Sequence, residues 1–216
     1  MANADSRPIA GHAGHDDAVT GFRALVNPAT GERIQFIGNP RDGDEDVARF
    51  SWRSVPGGAI PEHVHPLQEE RFMITAGEAH FVLNGETRIV AAGETLVVPV
   101  GARHSEANHG STAVEGTVEL RPALHTRQMH EAFAGLAADG KSTPRGAPKN
   151  PLQLGATLWH FRHESRVTEP PIWVQNLILP PLSALAKLCG VRAYDPRWDS
   201  ANSDDAARAP APAVQL

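Results

Sequence analysis

His63 and His65 stand one residue apart, Glu70 follows shortly after, and His104 lies just beyond a Pro99-Val100-Gly101 turn. Three imidazoles and a carboxylate at such spacings form a donor set for a metal ion. Side chains on a strand alternate between faces, so His63 and His65 point to the same side and can share one ion. Glu70 opens an alternating run with Phe72 and Ile74, which aims a carboxylate into an interior that is otherwise apolar. A charge so placed needs a partner. Turns at Gly85 and Gly93 bracket a strand between the two halves of the stretch and allow His104 to arrive from across a closed sheet. Neutral imidazoles with one carboxylate suit one divalent transition metal ion, and iron, manganese, nickel, copper, cobalt and zinc all remain open. No cysteine lies near, which excludes a closed thiolate site of the zinc-finger kind.

Two further carboxylates belong to the same region. Glu106 shares strand parity with His104 and is the candidate proton-transfer group; its alternative is a surface glutamate near the barrel rim. Glu69 is an alternative ligand to Glu70, or an exposed neighbour of it. His80, His109, His125, His130, His160 and His163 fall outside the pattern and are expected on the surface or in packing, and His12 and His15 sit in a polar N-terminal stretch without periodicity.

The two halves of residues 57–108 resemble the paired motifs of the cupin superfamily. In the first, a glycine is followed by His-x-His, a glutamate and a second glycine, positions filled here by Gly57, His63, His65, Glu70 and Gly77. In the second, glycine, Pro-x-Gly, histidine and asparagine are filled by Gly93, Pro99, Gly101, His104 and Asn108. The resemblance covers the middle half of the chain. It implies a double-stranded β-helix (jelly-roll) barrel with a mononuclear metal held by His63, His65, Glu70 and His104. It further implies oxidative cleavage, isomerisation or decarboxylation of a small oxygenated substrate. Dioxygenases are prominent among members with this ligand set, and members commonly form homodimers.

The elements that must position these residues are mostly short strands. From about residue 32 to 122, runs of β-branched and aromatic residues are punctuated by Gly, Asn and Pro every 8–12 residues or so, the spacing of a sandwich or barrel. Beyond Pro122 the period changes to about 3.6, and three helices are expected over residues 126–138, 152–167 and 173–189, the last broken or kinked at Pro180-Pro181. The chain therefore divides into a flexible segment (1–25), a mainly β barrel (26–123), a helical extension that packs on the barrel or on a partner (124–198) and a disordered Ala/Pro/Asp/Ser tail (199–216). Trp159, Phe161, Trp173 or Leu177 would line the cavity if the helices lid it.

Composition bounds the partners. A net charge of −5 and no basic stripe argue against nucleic acid, leaving a small-molecule substrate as the expected ligand. The single cysteine, Cys189, and the lack of a leader pattern point to a reducing cytoplasm. Residues 172–189 are apolar enough to raise a membrane question, but Gln175, Asn176, Lys187 and the double proline make a poor spanning helix. Packing on the barrel or a second subunit is expected there, with contact at a membrane surface as the alternative.

Overall fold

The computed structural model describes residues 22–38 and 46–201. Its strands are β1 (Leu25–Asn27), β2 (Glu32–Phe36), β3 (Ala48–Ser54), β4 (Ala59–Val64), β5 (Glu69–Ala76), β6 (Glu78–Leu83), β7 (Glu86–Ala91), β8 (Thr95–Val98), β9 (His104–Ala107), β10 (Val114–Arg121) and β11 (Arg166–Val167). They form two antiparallel sheets, one ordered β1-β2-β3-β10-β5-β8 and the other β11-β4-β9-β6-β7. The alternation that predicts a jelly roll is what fills its core. On β5, Glu70, Phe72 and Ile74 turn inward while Arg71 and Thr75 face water. They meet Phe36, Phe50, Trp52, Phe81 and Val118 from both sheets. Glu119, on the wet face of β10, is nonetheless buried, because Arg49 and Arg121 close over it from either side.

The turns that reverse the chain depend on glycine. Gly77 sits at φ +77, where a side chain is strained, and a Cβ there would lie 2.7 Å from the carbonyl oxygen of Ala113. Asn108, buried at the end of the second motif, donates to the carbonyls of Ser54 and Thr112 and accepts from Gly110 N, so it stitches three loops together.

Three helices follow the barrel: α1 (Thr126–Ala138), α2 (Pro151–His160) and α3 (Ile172–Leu188). The first spans the residues its periodicity predicts. The second stops well short of residue 167. Phe161 is drawn into a cluster with Met129, Leu136 and Trp198, and the chain turns so that Arg166 and Val167 pair with Val64 and His63 of β4. Nor does α3 break at its prolines. Gln175, Leu179 and Ala186 bury one face, while the bonds that Pro180 and Pro181 cannot donate would have gone to the carbonyls of Asn176 and Leu177, residues that face outward. Ser200, which falls within the expected loose tail, is instead buried with its N–H and hydroxyl on Glu131. The expectations for residues 1–21, including His12 and His15, for the turn at 39–45 and for 202–216 lie outside the described residues. No helix among the described residues is long and apolar enough to cross a membrane.

Candidate metal centre

β4 and β9 are neighbours in the second sheet, and their register places His63 opposite His104. β5 approaches from the first sheet with Glu70. One donor atom from each of His63, His65, Glu70 and His104 falls within 4.8 Å of all the others. Glu70, not Glu69, faces this point; Glu69 reaches out to Arg71. His63 Nε2 lies 3.2 Å from His65 Nε2, His65 Nε2 lies 3.3 Å from Glu70 Oε2, and His104 Nε2 lies 2.9 Å from the same oxygen. Donors bonded at about 2.1 Å to one ion and at right angles to each other stand about 3 Å apart, so these spacings match a shared ion.

The outer face of each ring fixes what the inner face offers. His63 Nδ1 donates to Pro61 O at 2.9 Å, His65 Nδ1 to Glu164 O at 2.5 Å and His104 Nδ1 to Ala102 O at 3.1 Å. A carbonyl only accepts, so each Nδ1 carries the hydrogen and each Nε2 presents a lone pair inward. Four acceptors thus converge with no donor among them, an arrangement that repels itself unless a cation sits between. The residues therefore fit a bound divalent ion.

Protonation follows the same electrostatics. Burial, then repulsion between a proton on His63 and the neighbouring His104 and His65 rings, pushes His63 down to about 3, so it stays neutral. Against the opposing pull of burial, the Glu70 carboxylate holds His65 above its ordinary value. Burial would raise Glu70, but the His65 and His104 imidazoles against its carboxylate hold it well below the carboxylate range. Without an ion, the cluster thus favours positive charge on His65, against the Glu70 carboxylate, and disfavours it on His63.

The site opens into a cavity of about 210 Å³ inside the barrel. Phe50, Trp52 and Phe72 form its barrel walls, and Phe133, Leu158 and Phe161 of the helical extension cover it. Of the residues named as cavity walls from sequence, Phe161 takes that role; Trp173 and Leu177 are exposed, and Trp159 faces a groove on the other side of α2. Glu106 enters the cavity beside His104, is 2% exposed, and has neither carboxylate oxygen in a hydrogen bond. Burial, then the Glu32 carboxylate, lifts its pKa to about 8 against a smaller pull from the nearby Ser54 hydroxyl.

Some participants were not singled out by sequence. Glu32 lines the cavity, accepts from Thr30 Oγ1 and Trp52 Nε1, and is raised by burial. Its parity with Ile34 and Phe36 on β2 was the available signal. His130 packs between Phe36 and Phe50 in the cavity wall, with burial pushing its pKa down. The carbonyl of Glu164 on His65 carries no sequence signal at all, because any residue supplies one. The remaining off-pattern histidines stay outside the cavity, His125 bonding Glu164 Oε1 and His80 stacking on His109.

The class so defined is a double-stranded β-helix barrel with a three-histidine, one-carboxylate cluster at the floor of its cavity. The cupin-domain family model matches residues 50–118, the stretch that carries all four residues of the cluster. Among solved structures, a predicted oxalate decarboxylase from Thermotoga maritima is 20% identical over 49% of this chain and 95% of its own, with a TM-score of 0.43. The polyketide cyclase RemF from Streptomyces resistomycificus is 20% identical over 50% of this chain and 80% of its own, also at 0.43. An RmlC-like cupin from Shewanella frigidimarina is 17% identical over 53% of this chain and 96% of its own, again at 0.43. These likenesses stop at about half the chain, and no activity transfers through them. No curated protein matches the sequence.

Proposed function

We propose that His63, His65, Glu70 and His104 hold one divalent transition metal ion, and that the chain is a metal-dependent enzyme performing oxygen-using, dioxygenase-type oxidation of a small, largely apolar organic molecule. The supporting observation is the convergence of four inward acceptors, without a donor among them, at the floor of a covered apolar cavity. When bound, the ion supplies Lewis acidity and open positions for a chelating oxygen or for dioxygen. The chain does the rest. Backbone carbonyls lock the three rings in orientation, the aromatic walls hold the substrate and exclude water, and Glu106 carries a proton at neutral pH that it donates or takes back at the substrate.

That proton supports a second reading, in which an isomerase, cyclase or lyase moves hydrogen between substrate atoms and consumes no oxygen. Oxygen uptake by metal-loaded protein across candidate substrates separates the two. Turnover with oxygen uptake, abolished in His104→Ala, supports the first reading, and turnover without uptake that Glu106→Gln abolishes supports the second. A binding protein without turnover is the outcome if no substrate is consumed under either condition.

A further inference from the structure

The exposed side of α3 is apolar along its whole length. Trp173, Leu177 and Leu188 are 71, 68 and 86% exposed, and they fall with Pro181 and Ala184 on one line of the helix, opposite the buried Gln175, Leu179 and Ala186. Ile178 and Leu185 widen the stripe on one flank. A contiguous apolar surface of this kind has a partner.

The other flank shows what that partner is. There Ser183 and Lys187 of α3, Arg162 at the end of α2 and Arg192 beyond α3 line a shared groove that contains no carboxylate. Nearby, Arg166 bonds Asn176 of the same flank. Among the described residues none of these four cations forms a salt bridge with a carboxylate, unlike Arg49, Arg53, Arg88, Arg103, Arg127 and Arg197 and like Arg33, Arg145 and Lys149 elsewhere. Residues 151–195 hold three acids: Glu164 is buried, Glu169 lies beyond the far end of α3, and Asp195, within reach of the field of Arg192, forms its ion pair with Arg197. The chain as a whole is negative, so the local surplus of cations is a property of this face. At physiological salt only charges within roughly 8 Å of a surface act strongly on it.

We propose that this face docks the protein on an anionic lipid surface, with the α3 stripe in the headgroup layer and Lys187, Arg162, Arg192 and Arg166 among lipid phosphates. A second copy of this chain is the poorer occupant, because it would present the same cationic flank and no exposed carboxylate of the stripe to neutralise it. The double proline sets the depth. It leaves the carbonyls of Asn176 and Leu177 without their usual helical donors, and these need the water that the headgroup layer provides and hydrocarbon does not.

The test is co-flotation of the full chain with vesicles of phosphatidylcholine alone, or of phosphatidylcholine with about one third phosphatidylglycerol. The expected result is binding to the anionic vesicles only, weakened by raised salt. Lys187→Glu/Arg192→Glu should bind about thirty-fold more weakly or worse. Leu177→Glu/Leu188→Glu, at exposed positions that leave the fold intact, should also lose binding. Failure to bind either vesicle, or equal binding to both, overturns the proposal. So does a dimer in sedimentation that Leu177→Glu/Leu188→Glu dissolves, which would assign the face to a second copy.

Discussion

At the scale of single residues, Glu106 makes the sharpest case because its proton is held by burial and by Glu32. Unfolded, it titrates near 4.5; folded, near 8. Between those values the folded state binds the extra proton, so this group's contribution to stability is complete below about 4.5 and is lost as the pH rises through 8. Glu106→Gln stays neutral throughout and should remove a slope of up to about 1.4 kcal/mol per pH unit in that window, measured by urea unfolding of metal-free protein. A variant whose slope equals that of the wild type would show that Glu106 is charged in the fold. His63 works with the opposite sign: kept neutral down to about 3, it costs the metal-free fold stability as acid protonates the unfolded chain first. The four residues of the cluster were legible in the sequence because motif spacing and strand parity both name them. The proton on Glu106 was not, since it depends on Glu32, distant in sequence and brought close only when β2 and β9 face each other across the barrel.

At the scale of elements, α1 rests on Trp198 through a missing side chain. A Cβ on Gly135 would lie 2.3 Å from the Trp198 ring, which is too rigid and too buried to move aside. Alanine is the better helix former by about 1 kcal/mol, yet overpacking costs about 1–3 kcal/mol. Gly135→Ala should therefore lower the melting temperature, and a rise would show that the Trp198 contact is loose. Local periodicity predicts α1 to the residue because its pattern is self-contained. It fails for the end of α2 and for β11, because what stops the helix is Phe161 seeking Met129 and Trp198, and what makes the strand is a free edge of β4 far back in the chain. The helix is not broken at Pro180-Pro181 because the cost of a lost helical bond depends on whether water can replace it, which sequence does not state.

At the scale of the whole molecule, the helical extension and the barrel are one functional unit. The extension covers the cavity, and its return strand β11 carries the chain to the Glu164 carbonyl that orients His65. Phe161 anchors that turn, its own carbonyl accepting from Glu164 N and Ser165 N. Phe161→Ala should destabilise the fold by about 3–5 kcal/mol and, although Phe161 touches no ion, weaken metal affinity about tenfold or more by loosening the carbonyl behind His65. Competition with a chelator reads the second effect separately from the first; unchanged affinity would mean that β4 alone holds the ring.

The central claim is that the cluster holds a metal, and elemental analysis of untagged protein tests it most directly, beside a His63→Ala/His104→Ala double variant of the same preparation. The account predicts about one equivalent of a divalent transition metal in the wild type, lost in the variant while the fold persists. Wild-type protein that stays metal-free after reconstitution with each candidate ion would contradict it.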